Sequence, residues 1–116
     1  MSKLLNADAA YIDERKITAY LLSASHSSGR HKARFFESFG FTLAEWQRLR
    51  DSLLAHALTN DAVPSADTAF GPTFEVTGPL SSPDGRNPHV LVAWMIRNGE
   101  DFPRFVTAVP SEPRET

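Results

Sequence analysis

Apolar residues recur at two spacings along these 116 residues, and the change falls near the middle of the chain. Upstream they return every three or four positions, the period of a helix; downstream they alternate, the period of a strand. Ile17, Tyr20 and Leu21 share one face of a helix predicted over residues 14–22, with Asp13 placed to cap it. A second helix is predicted over residues 29–39. Ser28 is its N-cap candidate, Ala33 and Phe36 with Phe35 or Phe39 supply its buried side, and Gly40 ends it. The third helix has the strongest start signal. Thr42 and Glu45 have the spacing of a capping box, and Phe41 and Trp46 that of the hydrophobic staple around it. Leu43, Trp46, Leu49, Leu53 and Ala57, with Leu54 and Leu58 beside them, form its apolar stripe, and it is expected to end near Leu58 or Thr59.

Residues 61–68 read as a loop broken by Pro64. Residues 73–77 alternate and predict a strand. Pro83-Asp84-Gly85-Arg86-Asn87-Pro88 is turn chemistry, which suffices to explain Asp84. Residues 89–97 predict an inner strand; the unbroken run from Val90 to Ile96 suits a strand covered on both faces. A turn at Asn98-Gly99-Glu100-Asp101 leads to a last strand over residues 104–109. Residues 1–13 leave room for a short strand. Helices first and strands afterwards predict an α+β fold: about three N-terminal helices followed by a three- to four-stranded antiparallel sheet. The length suits one domain over residues 1–116, with a core over about 9–110 and a polar tail at 111–116.

Composition narrows the class. Apolar residues make up 41% and charged residues 22%, the balance of an ordinary globular domain. The absence of cysteine excludes disulfides and thiolate metal sites. No continuous apolar segment of signal-peptide type opens the chain and no run approaches a membrane span, so a cytoplasmic protein without membrane contact is expected. The net charge of −2 argues against a broad electrostatic nucleic-acid binder, so any such function must rest on a local basic cluster.

One stretch supplies it. In Ser25-His26-Ser27-Ser28-Gly29-Arg30-His31-Lys32-Ala33-Arg34-Phe35-Phe36, two histidines, two arginines and a lysine fall within nine positions. A basic first turn opposes the helix dipole, which favours anions there, so the arrangement is suited to a bound anion such as phosphate; the plainer reading is a solvated basic turn. Arg30 and Lys32 diverge by about 200° on a helix and do not both point at one centre. On the strands, His89, Leu91, Ala93, Met95 and Arg97 share one face, Glu75 and Thr77 share a polar edge, and strict alternation sends Arg104 and Thr107 opposite ways. His56 is expected on a helix surface, His89 in a turn, and Trp94 in the core. No P-loop, dinucleotide fingerprint, His-Glu-x-x-His or nucleophile elbow occurs, and His26 and His31 lack metal-pair spacing, so neither a cofactor nor a metal is expected.

Several motifs occur together. They are Lys16-Ile17-Thr18-Ala19-Tyr20-Leu21-Leu22, His26-x-x-Gly29-Arg30-His31-Lys32-Ala33-Arg34-Phe35-Phe36, Gly71, Gly78-x-Leu80, Pro83-Asp84-Gly85-Arg86, Trp94-Met95-Ile96 and Pro103-Arg104-Phe105-Val106-Thr107-Ala108. In this order they resemble a widespread bacterial family of small proteins of unknown function. The chain departs from that pattern at Ser27, where members often carry Pro, and at Val109, where they often carry Tyr. More distantly, the order of elements resembles the barnase–EndoU–colicin–RelE-like ribonuclease toxin domains. That resemblance implies metal-independent cleavage of RNA, which needs a base, an acid and cations for the phosphate. His26 is the first candidate proton carrier and His31 the reserve. Lys32 suits leaving-group or phosphate stabilisation, and Arg30, Arg97 and Arg104 suit phosphate binding. The rival expectation is a non-enzymatic interaction module, the partner or neutralising half of a two-protein system with a small protein encoded nearby.

Overall fold

The computed structural model describes residues 2–27 and 29–112. The Ser28 cap and the last four residues of the tail lie outside the described residues. Three helices come first. The first, α1, is an α-helical turn at Glu14–Lys16 that runs on as a π-helical turn at Ile17–Leu21. Asp13 caps it as expected, accepting the Arg15 N–H at 2.9 Å. The second, α2, spans Arg30–Ser38, and α3 spans Trp46–Thr59. Four strands follow: β1 at Ala62–Thr68, β2 at Gly71–Pro79, β3 at His89–Met95 and β4 at Arg104–Pro110. They form one antiparallel meander in the order β1-β2-β3-β4.

The helical stripes and the inner sheet face meet in one core. Ile17, Leu21, Phe36, Phe41, Leu49, Leu53 and Ala57 pack with Val76, Val90, Val92, Trp94, Phe105 and Ala108, all buried. The termini of α2 and α3 follow local rules. Gly40 leaves α2 with φ +102°, a conformation that costs glycine little, and Phe41 N–H reaches back to the Phe36 carbonyl at 3.2 Å. Thr42 Oγ1 accepts the Glu45 N–H at 3.2 Å, the first half of the expected capping box, but α3 begins at Trp46, three residues later than a Thr42 cap implies, and Glu45 rather than Thr42 holds the N-cap position. Leu43 therefore sits in the turn ahead of the helix and is exposed, as is Leu58, so the buried stripe is narrower than the sequence spacing implies.

Several expectations change. Residues 61–68 are not a loop: all but Asp61 form β1, an exposed edge strand. An edge strand needs no apolar alternation and tolerates Pro64, and its pairing with β2 shifts register between Pro64 and Asp67. β3 is covered on one face only. Val90, Val92 and Trp94 are buried, whereas His89, Leu91, Ala93 and Met95 are half-buried on the other side, and Glu75 and Thr77 lie across from Ala93 and Leu91 on that same side. His89 opens β3 rather than lying in the turn before it, and Arg97 lies beyond the strand's end. Residues 1–13 hold a short 3₁₀ turn at Ala7–Ala9 and isolated bridges from Lys3 to Asp61 and from Tyr11 to Arg104.

His56 is the largest correction on the helices. It is 2% exposed, packed where α3 crosses β2, with Nε2 3.1 Å from the Gly78 carbonyl. Asn60 lies over the same point, where a Cβ on Gly78 would fall 2.1 Å from Asn60 Oδ1 and would push the Asn60 amide aside. Burial holds the His56 imidazole below its ordinary pKa, and neighbouring His89 adds to this, against the opposing pull of the Gly78 and Val90 backbone.

Two outcomes are expected. Thr42→Ala lowers stability by about 1 kcal/mol, read from denaturant unfolding. Because the folded pKa of His56 is depressed, the unfolded chain binds its proton first as pH falls below about 6.5, so His56 makes stability decline from that pH downward. His56→Leu removes the buried imidazole and its bond to the Gly78 carbonyl, which keeps its ladder partner Val90; it costs about 1 kcal/mol at neutral pH and makes the decline between pH 7 and 5 shallower.

Candidate functional site

A cleft of about 830 Å³ opens between α1, the loop carrying His26, and β4. Its centre is Tyr20, near the end of the π-helical turn. Ile17 and Leu21 are buried on the core side, which leaves the half-buried Tyr20 directed across the edge of the sheet. Its hydroxyl lies 3.0 Å from Thr107 Oγ1, 87 residues away. The His26 ring meets the Tyr20 ring edge-on, with centroids 5.1 Å apart. Lys16 Nζ and Lys32 Nζ lie 5.6 and 5.3 Å from the Tyr20 ring centroid. Burial raises the phenol's pKa, but the Thr107 hydrogen bond together with Lys32 and Lys16 outweighs it, and the net displacement is below the ordinary tyrosine value.

A bulge in β4 makes this arrangement possible. Register moves from Trp94↔Phe105 to Ala93↔Thr107, so Val106 is an extra residue in β4. Strict alternation sends Arg104 and Thr107 to opposite faces. The inserted residue instead puts them both on the face shared by Met95 and Ala93, and both line the cleft. The Val106 carbonyl accepts a hydrogen bond from Lys16 Nζ at 3.3 Å.

Gly29 is the second structural requirement. A Cβ there would fall 2.0 Å from the Tyr20 carbonyl oxygen, so α2 approaches α1 this closely only because residue 29 has no side chain. Gly29 N–H donates to His26 Nδ1 at 2.9 Å, and Arg30 N–H donates to the His26 carbonyl at 3.0 Å. These two amides, expected to receive an anion, are therefore capped from within the chain by His26. Nδ1 acting as an acceptor places the ring's proton on Nε2.

Of the residues singled out from sequence, His26, Arg97 and Arg104 line the cleft, and Lys32 touches it through Tyr20. Arg30 and His31 are exposed on the first turn of α2 and are not among the lining side chains. Arg104 is already engaged. Its Nε and Nη2 donate to the Glu100 carboxylate at 2.8 and 2.9 Å, and its guanidinium lies 5.3 and 4.9 Å from the Tyr11 and Phe102 ring centroids. That pair holds the Glu100 carboxyl below and the Arg104 guanidinium above their ordinary values. Trp94, a conceivable base-stacking group, is wholly buried against Phe105. Tyr20 and Lys16 were not singled out for chemistry. The apolar stripe of α1 assigns Tyr20 to packing, and only its long-range partner Thr107 reveals the other role.

Four basic side chains and one carboxylate, Asp13, line the cleft of a chain whose net charge is −2. Among the described residues no three His, Cys, Asp or Glu side chains cluster as a metal site, and no helix is long and apolar enough to cross a membrane.

Fold and cleft define a small α+β domain with a basic site at the edge of an antiparallel sheet. The chain belongs to the family described as Domain of unknown function (DUF6883), whose model matches residues 3–112. Its fold is similar to that of a chain in the solved structure "Contact-dependent growth inhibition toxin - immunity protein complex from Klebsiella pneumoniae 342". The TM-score is 0.68 at 14% sequence identity, over 92% of this chain and 97% of that one. At that identity the likeness is one of fold. No curated protein matches the chain.

The hydrogen bond at the centre of the cleft gives a direct test. The Tyr20 phenol is expected to ionise below its ordinary value of 10.0 in an ultraviolet titration. Thr107→Val removes a donor to the phenolate and moves the titration upward. An unchanged titration in Thr107→Val shows that the bond does not form in solution.

Proposed function

We propose that this protein is an RNA-directed, metal-independent nuclease of toxin-like type, with the Tyr20 cleft as its active site. The observation that carries the reading is the Tyr20 hydroxyl, bonded to Thr107, flanked by two lysines and edge-on to His26, in a cleft that also holds Arg97. The chemistry is attack of a ribose 2′-oxygen on the adjacent phosphorus. Tyr20, as phenolate, takes the 2′-OH proton; the 2′-O–P bond forms and the P–5′-O bond breaks, leaving a 2′,3′-cyclic phosphate. The departing 5′-oxygen takes a proton from the Lys32 ammonium. His26, protonated on Nε2, and Arg97 donate hydrogen bonds to the non-bridging phosphate oxygens, where charge builds in the transition state. Arg104, held by Glu100, shapes the floor of the cleft and adds positive potential. In this reading Arg30 and His31 stand outside the reacting centre and serve the approach of the polyanion.

The test is incubation of purified protein with total RNA in the presence of a chelator. Cleavage ending in cyclic phosphate is expected, with Tyr20→Phe slower by about 100-fold or more. The base must lose its proton to act, so the rate rises with pH with a midpoint below pH 10, and this limb is absent in Tyr20→Phe. A Tyr20→Phe protein cleaving at the wild-type rate removes Tyr20 from the chemistry.

A second reading, the interaction module, draws on the half-buried apolar positions Leu91, Ala93 and Met95 on the open sheet face and on the acidic net charge. No cleavage by wild type, together with tight binding to the product of a neighbouring gene, selects it.

A further inference from the structure

We infer that Phe70, at the tip of the β1–β2 hairpin, is a stacking platform for an unpaired base, so that the substrate of the cleft is single-stranded RNA. This rests on the nuclease reading for its ligand and adds the strand state. Phe70 is 72% exposed, the highest exposure among the large apolar side chains of the described residues. An exposed aromatic on a loose loop would carry no meaning, but this tip is fixed. Thr68 Oγ1 accepts the N–H groups of Phe70 and Gly71 at 3.1 and 3.2 Å. Asn98, in the β3–β4 turn, donates its backbone N–H to the Phe70 carbonyl at 2.8 Å and its side-chain amide to the Ala69 carbonyl at 2.9 Å. Gly71, with φ +142°, allows the approach: a Cβ there would fall 2.2 Å from the Ile96 carbonyl oxygen. The ring is thus presented on a backbone anchored to a second hairpin, which lowers the entropy lost on binding.

The position of the ring names the occupant. Phe70 lines a groove of about 720 Å³ together with Lys16, Arg97 and Arg104, and these same three cations line the Tyr20 cleft. No carboxylate is among the groove's lining residues in the described part of the chain; Glu100, outside the lining, pairs with Arg104, which leaves Lys16 and Arg97 as the cations not held in an ion pair there. An aromatic face beside a row of cations, in a groove that shares Lys16, Arg97 and Arg104 with the Tyr20 cleft, matches an unpaired nucleotide chain: bases stack on the ring and phosphates follow the cations. A duplex keeps its bases inside and cannot offer one to the ring.

The experiment is fluorescence anisotropy with a labelled single-stranded oligonucleotide carrying 2′-O-methyl riboses, which lack the attacking hydroxyl. A duplex of the same length is measured beside it. Phe70→Ala is expected to weaken single-strand binding by about 5- to 100-fold, as for the loss of one base–aromatic stack, while Phe70→Tyr binds as wild type and duplex binding is the same in all three. Equal single-strand binding by wild type and Phe70→Ala, no binding by wild type, or equal loss on the duplex overturns the inference. Failure of the nuclease reading is seen separately, as absence of RNA cleavage by wild type in chelator. Thermal unfolding of Phe70→Ala confirms that the exposed substitution leaves the fold intact.

Discussion

Tyr20 and Thr107 stand 87 residues apart and are joined by a 3.0 Å hydrogen bond. That bond ties the first helix to the last strand, and three local features meet there. The π-helical turn positions the tyrosine at the sheet edge, the bulge at Val106 brings Thr107 to the cleft side, and Gly29 lets α2 close over the Tyr20 backbone. Each departs from ideal geometry. A regular α-turn aims residue 20 elsewhere, and an unbulged strand separates Arg104 from Thr107. Such departures cost stability, and folds retain them mostly where a site is built.

The architecture was legible because burial needs a pattern. The α2 positions Ala33 and Phe36 and the α3 positions Leu49, Leu53 and Ala57 appear in the core as their spacing implies, whereas of the unbroken β3 run only Val90, Val92 and Trp94 are buried, because one face of the sheet is open. β1 was not legible, because an exposed edge strand has nothing to bury, and Pro64 reads as a breaker wherever it occurs. His56 was misplaced for a related reason. A histidine among leucines looks like a surface position, and the Gly78 carbonyl that satisfies it is 22 residues away in sequence.

The candidate site was legible by half. His26, Lys32, Arg97 and Arg104 carry charges or protons, and residue type alone singled them out. Their convergence depends on a strand bulge and a glycine contact, which no residue type announces. Tyr20 is the instructive omission: an amphipathic side chain satisfies a core pattern with its ring and a polar site with its hydroxyl. The neighbouring Arg30 and His31 lie outside the cleft lining, since dense charge in sequence does not place side chains on one side of a helix.

The distribution of the cleft along the chain also sets which pairings it requires. The sheet is a meander of sequential hairpins, so each strand pairs with the one just before it, and closing each pair spans a short loop. The cleft has no such local route. Its walls are contributed by residues 11–26 and 97–107, and the wall bearing Thr107 takes shape only when β4 has paired with β3. A chain folded through β3 can hold a sheet and three helices, yet it has no cleft. Whatever this cleft does, it depends on the β3–β4 pairing, and a chain in which β4 is unpaired lacks the Thr107 wall.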